Sequence, residues 1–200
     1  MALFTVDREK PILDMFVKND PHAMESLYNE YSTYLAGVCY RYVCDDAIMK
    51  DVLQDSFIRI FSSIGQFDYR GKGSLKAWMT RIVINESLQE LRRSSKTKPS
   101  SQSTAISEDG AELSAPAPFV TEPDEEDLDV SNITVEQIIE LTSQLPEGYR
   151  TVLNMFLFDQ MSHKEIAEAL GIKESTSASQ FFKARKMLAS LIRNRYNIKR

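Results

Sequence analysis

Residues 161–188 read MSHKEIAEALGIKESTSASQFFKARKML, in which the small side chains of Ser175, Ala178 and Ser179 precede the cations Lys183, Arg185 and Lys186. That order suits recognition of duplex DNA: short side chains let a helix enter the major groove, hydroxyls reach base edges, and the following cations reach phosphates. Other chemistries find little support. His22 and His163 are isolated, no Ser/Arg catalytic cluster is visible, and Cys39 and Cys44 lack the third ligand of a metal set. The chain is expected to be neither an enzyme nor a holder of a metal or cofactor, with both cysteines buried and reduced.

A net charge of −5 argues superficially against a nucleic-acid partner, but its distribution reverses that reading. Residues 1–98 hold 14 Lys and Arg against 13 Asp and Glu, residues 99–132 hold none against 9, and residues 133–200 hold 10 against 7. From Lys173 onward there are 8 basic residues and the single acid Glu174. A local field of that sign matters more for binding DNA than the global sum. No apolar run reaches the roughly 18 residues of a membrane span. The charged N-terminus MALFTVDREKPIL does not suit a signal peptide, so a cytoplasmic protein without membrane insertion is expected.

The elements that must position these residues are all helices. Ser162 to Glu165 has the spacing of a capping box, in which the serine oxygen accepts an early N–H and the glutamate returns the bond. Ile166, Ala167 and Leu170 then face inward, Gly171 takes the positive φ of a sharp turn, and Ile172 closes the corner. On the following helix, from about Ser175 to Tyr196, Phe181, Ala184, Leu188 and Leu191 pack back. That leaves Ser175, Ala178, Ser179, Phe182, Lys183 and Lys186 on the opposite face. The pattern predicts a helix-turn-helix. Thr134 and Pro146 open two preceding helices, the second carrying Tyr149, Val152, Leu153 and Phe156.

In the N-terminal half, Asp20-Pro21 predicts a helix start followed by the stripe Leu27, Tyr31, Tyr34, Leu35 and Val38. Asp45-Asp46 restarts a helix with Ile48, Val52, Phe57, Ile60 and Phe61. FDYRGKGS interrupts it with two glycines, and Ser74 is placed to cap a last helix through Leu75, Trp78, Ile82 and Leu91. Between the halves, residues 94–132 are rich in Ser, Pro and acids and lack periodicity, so they predict a flexible acidic linker. The expectation is an all-α chain of two small domains, 1–93 and 133–200, joined by that linker. Its 39 residues average roughly 35 Å end to end as a coil and extend to about 130 Å.

With these motifs in place, LPEGYRTVLNMFLFDQMSHKEIAEALGIKESTSASQFFKARKMLASLI resembles region four of the extracytoplasmic-function (ECF) sigma factors of bacterial RNA polymerase. DDAIMKDVLQDSFIRIFSSIGQFDYRGKGSLKAWMTRIVINESLQELRR resembles their region two, and the two lie in the family's order. The resemblance implies three surfaces. Asp51, Leu53, Gln54, Asp55 and Phe57 would dock on the β′ clamp helices of core RNA polymerase. Tyr69, Arg70 and Lys72, in a loop that receives a flipped base, would meet the −10 element with Trp78, Arg81, Asn85, Arg92 and Arg93. Ala178, Ser179, Phe182 and Lys183 would face −35 bases, with Ser175 beside them and Gln180, Arg185 and Lys186 at phosphates. Tyr149, Val152, Leu153 and Phe156 would meet the β flap or form internal core. An anti-sigma factor is an implied further partner.

Two departures from the family stand out. Ala178 replaces a commonly basic residue and removes one bidentate base contact; Ser177 replaces a commonly buried valine. Two other classes of protein fit this sequence less well. An autonomous helix-turn-helix regulator has no use for the DVLQDSF and W-x-x-x-I-x-x-N segments in that order, and a DNA recombinase needs a catalytic cluster.

Overall fold

The computed structural model describes residues 7–97 and 133–196, and every regular element among them is helical. The elements are α1 (Glu9–Val17), α2 (Ala23–Tyr40), α3 (Asp46–Ser63) with a 3-10 turn at Ile64–Gln66, and α4 (Ser74–Thr97). After them come α5 (Val135–Thr142), α6 (Glu147–Leu157), α7 (His163–Leu170) and α8 (Glu174–Tyr196). They form two compact units, α1–α4 and α5–α8. The acidic segment expected as linker lies outside the described residues from residue 98 onward, whereas 94–97 continue α4.

In the first unit α2, α3 and α4 pack on one another and α1 lies on α2. Leu27 and Leu35 of α2, Ile60 of α3, and Leu75, Met79 and Val83 of α4 are fully enclosed. The inward face of α4 differs from the expected stripe: Met79 and Val83 go inside, while Trp78 and Ile82 are half-buried. A polar residue hides this face in the sequence. Ser87 belongs to it, buried with its hydroxyl donating to the Val83 carbonyl (2.7 Å) and lying 3.6 Å from Cys39 Sγ. Cys39 is buried, which pushes its thiol pKa up, whereas Cys44, expected inside as well, is half-buried and donates to the Tyr40 carbonyl. Tyr34, expected on the inward stripe of α2, is exposed.

Local capping sets most helix starts, with two differences. Asp45 accepts the N–H groups of Ala47 and Ile48 at 3.0 Å, as expected. Asp20 accepts from His22 N–H (2.8 Å), but α2 begins at Ala23, because residues 20–23 close a turn through Ala23 N–H to the Asp20 carbonyl. Ser74 is the first residue of α4 rather than its cap, its hydroxyl donating instead to the Gly71 carbonyl (2.6 Å).

In the second unit α8 packs on α5, α6 and α7. Phe181, Leu188 and Leu191 close over Leu145, Leu153 and Ala184. Arg150, buried, donates to the carbonyls of Ser143 and Leu145 at 3.2 and 3.3 Å, satisfying acceptors in the α5–α6 turn. Thr134 and Ser162 each form a complete capping box, with Gln137 and Glu165 respectively. Gly171 ends α7 at φ 69°, the left-handed conformation that the turn requires. No described helix is long and apolar enough to cross a membrane.

Candidate nucleic-acid and partner interfaces

The capping box and Gly171 orient α8 so that Ser175, Ser179, Phe182, Lys183, Arg185 and Lys186 are exposed and Ala178 is half-buried beside them. Phe182 is 57% exposed, an unusual state for an aromatic and a ready apolar contact for a thymine methyl group. The Arg185 guanidinium lies 5.9 Å from the Phe181 ring centroid. Gln180 differs from its neighbours: it is half-buried, and its Oε1 is enclosed without a hydrogen-bond partner among the described residues. A phosphate needs its Nε2 donor, so an outward role rests on that atom alone.

Ser177 is fully buried at the start of α8, and its hydroxyl lies 3.0 Å from His163 Nδ1 on α7. The His163 ring stacks on Phe156 (centroids 4.8 Å apart) and meets the edge of Phe181 (5.6 Å). Neither histidine nor serine stands alone, then; together they replace an apolar contact across the turn. In α6, Val152 and Leu153 are fully buried, which removes them from any partner surface, and Tyr149 and Phe156 are half-buried. The apolar side chains exposed at that end are Leu157 and Phe158, which the inward stripe did not reveal.

On α3 the five residues expected at the clamp divide between two faces. Leu53, Gln54 and Phe57 line an open cleft of about 670 Å³ with Tyr28 and Ala36 of α2. Phe57 is its floor rather than a projecting anchor, only 7% exposed, with its ring centroid 4.8 Å from Tyr28 and 5.8 Å from Phe61. Asp51 and Asp55 are exposed one turn apart, and Ile58 stands exposed between them and Gln54. A large apolar residue amid acids is a sequence signal for an interface that the motif match overlooked.

On α4, Trp78, Arg81, Asn85 and Arg92 recur at helical spacing on one face, Trp78 half-buried and the other three exposed, with Arg93 also exposed. Trp78 packs on Phe67, centroids 5.1 Å apart. The exposed pair Arg70–Asp68 (3.3 Å) holds its arginine only loosely, since exposed ion pairs contribute little, whereas Arg93 pairs at 2.6 Å with the largely covered Glu90. Lys72 is exposed between Gly71 (φ 115°) and Gly73 (φ 93°).

The loop preceding α4 is anchored from far away in the chain. Glu9, 4% exposed, accepts the N–H groups of Gly73 (2.9 Å) and Leu75 (3.1 Å) on Oε2 and of Lys76 (3.0 Å) on Oε1. Asp7 accepts the Tyr69 hydroxyl on Oδ2, while its Oδ1 accepts the N–H groups of Glu9 (2.9 Å) and Lys10 (3.4 Å). The Tyr69 bond holds the Asp7 carboxyl below its ordinary pKa, and the same bond raises the Tyr69 phenol to about 12. Among the described residues no group of three His, Cys, Asp or Glu side chains is placed to hold a metal ion.

Comparison with known proteins assigns each unit. Residues 27–97 match the family profile of Sigma-70 region 2, and residues 135–188 match Sigma-70, region 4. The RNA polymerase sigma-H factor of Pseudomonas aeruginosa is 28% identical over 187 residues, 93% of this chain and 94% of that protein. The ECF RNA polymerase sigma-E factor of Haemophilus influenzae is 26% identical over 92% of this chain and 95% of that one. Among solved structures, the sigma factor RpoE in complex with the anti-sigma factor NepR from Bartonella quintana matches with a TM-score of 0.47 and 17% identity, covering 86% of this chain and 98% of that one. Two sigma-70 regions in one chain, in the family's order, define the class. The chain belongs to the ECF branch of the sigma-70 family.

Proposed function

We propose that this protein directs core RNA polymerase to promoters, its first unit docking on the β′ clamp helices and opening the −10 element, its second reading the −35 element. The observation that carries this is the pairing, in one chain, of region 2 with an exposed basic face on α4 and region 4 with an exposed helix of small and basic residues. The chain acts as a non-enzymatic, cytoplasmic initiation factor controlled by an anti-sigma factor. Asp51 and Asp55 meet the polymerase from the solvent side of α3, Gln54 meets it from the exposed rim of the cleft, and Leu53 and Phe57 shape the cleft behind. Tyr69, Arg70, Lys72, Trp78, Arg81, Asn85, Arg92 and Arg93 serve the −10 strand. Ser175, Ala178, Ser179, Phe182 and Lys183 serve −35 bases, with Arg185, Lys186 and the Nε2 of Gln180 at phosphates. The first unit runs through α4 to Thr97, the second begins at residue 133, and the acidic stretch between them joins the two.

Run-off transcription with core polymerase tests the division of labour. Lys183→Ala lowers use of a promoter with a good −35 element by roughly 1–3 kcal/mol per lost base contact, and a template pre-melted at −10 does not rescue it. Asn85→Ala impairs opening, and a mismatched bubble restores much of the activity. Equal rescue of both variants by the bubble contradicts the assignment of the two helices. Replacing Gln54 with Ala and Asp55 with Lys weakens core binding while leaving thermal stability near wild type, since exposed polar changes cost little stability. Unchanged affinity for core removes both residues from the interface.

A further inference from the structure

We infer that Asp7 and Glu9 are positioning residues for base selection at the −10 element: α1 braces the loop 68–74 in the shape that receives the flipped base. This rests on the assignment of that loop to −10 recognition. Packing holds little of the loop. Gly71 and Gly73 both take positive φ, and a Cβ at either would meet nothing within 4 Å, so packing does not confine them. Arg70 and Lys72 are exposed, and the Arg70–Asp68 pair lies within the loop itself. Besides the Ser74 hydroxyl, bonded to Gly71 and Arg70, two carboxylates of the N-terminal segment anchor the loop.

The chemistry of those anchors favours a rigid hold. A helix start leaves N–H groups without intrahelical partners and carries a partial positive charge. Glu9 gives three of these donors one buried, ionisable acceptor, which sets the direction of α4 and the entry angle of the chain at Gly73. Asp7 fixes the other end, holding the Tyr69 ring by its hydroxyl while capping α1 with its second oxygen. The two carboxylates thus grip both sides of the glycine pair. A pocket for an extruded base must already have its shape when the base arrives, because ordering a loop on binding reduces the discrimination it can deliver. Asp7 and Glu9 touch no DNA in this scheme; they act through Tyr69 and the backbone of 73–76.

Two measurements on the full chain test the brace. Amide exchange by NMR reports Gly73, Leu75 and Lys76 directly, and holoenzyme transcription from a promoter library randomised across both elements reports base preference. Glu9→Gln keeps the volume but places an amide against the N–H row. It is expected to speed exchange at the three amides and to lower preference at one −10 position by about tenfold, with −35 preferences unchanged. A general loss of fold lowers total transcription without flattening one position. Asp7→Ala, which removes the acceptor of the Tyr69 hydroxyl while leaving every DNA-facing side chain in place, carries the test if Glu9→Gln does not fold, and it too is expected to flatten that position. Unchanged exchange in Glu9→Gln, or an unchanged −10 preference in whichever variant folds, overturns the inference while leaving the −10 assignment intact. A wild-type holoenzyme without any −10 preference overturns the assignment and the inference together.

Discussion

The helices offered to DNA in the two units are held at their N-termini by opposite means. Ahead of α8, everything is local: a capping box from Ser162 to Glu165, the eight residues of α7, and Gly171 at φ 69°. Ahead of α4, the acceptor for the first N–H groups is Glu9, 64 to 67 residues away in the chain. A local device forms as soon as its own turn forms. A distant one exists only once α1 has settled on α2 and the whole unit is assembled. The difference teaches that one reading surface is specified by a short stretch of sequence and the other by tertiary structure.

Substitutions can break that contrast. Glu9→Ala leaves three donors at the start of α4 without their acceptor and is expected to destabilise the first unit by about 2–3 kcal/mol. The only tryptophan of the chain, Trp78, lies in this unit, so its fluorescence during urea unfolding reports the loss. Gly171→Ala meets no steric obstacle but forces a Cβ into left-handed backbone, at about 1–2 kcal/mol to the second unit. Helical circular dichroism detects that loss, and the Trp78 transition is expected to stay in place; a shifted transition means that the units are coupled in stability.

A smaller effect sharpens the comparison at the loop. Tyr69→Phe removes the bond that depresses the Asp7 pKa, so the Asp7 carboxyl is expected to titrate at a higher pH, read from its 13C shift. With the folded pKa below the unfolded one, the bond stabilises the protein above the ordinary Asp range and loses that contribution as pH falls through the depressed value. In Tyr69→Phe this acid-dependent part disappears, and an unmoved Asp7 titration denies the contact.

What was legible in the sequence follows the same divide. Capping at Asp45, Thr134 and Ser162, the turn at Gly171 and the two faces of α8 depend on neighbours within one or two turns, and each stands where the pattern put it. The inward face of α4 was misread because buried Ser87 interrupts its apolar spacing and finds its partner on α2. Ser74 has the type and position of a cap, yet the acceptor for its neighbours comes from Glu9, and no periodicity links residues so far apart. Leu53, Gln54 and Phe57 share a motif with Asp51 and Asp55, but a motif records spacing, and only the packing of α2 against α3 divides those residues between cleft and solvent face.

The His163–Ser177 pair gives the helix-turn-helix a property that an apolar contact would not. Hydrocarbon surfaces slide past one another at small cost, whereas a hydrogen bond fixes both a distance and a direction. With Ser177 tied at 3.0 Å to a ring clamped between Phe156 and Phe181, α8 is keyed in rotation as well as depth. Turning the helix by one residue, about 100°, would break the key and strand a hydroxyl in the core. The pair therefore acts as an angular detent: it sets which side chains of α8 point outward, a setting independent of how tightly the core beneath is filled.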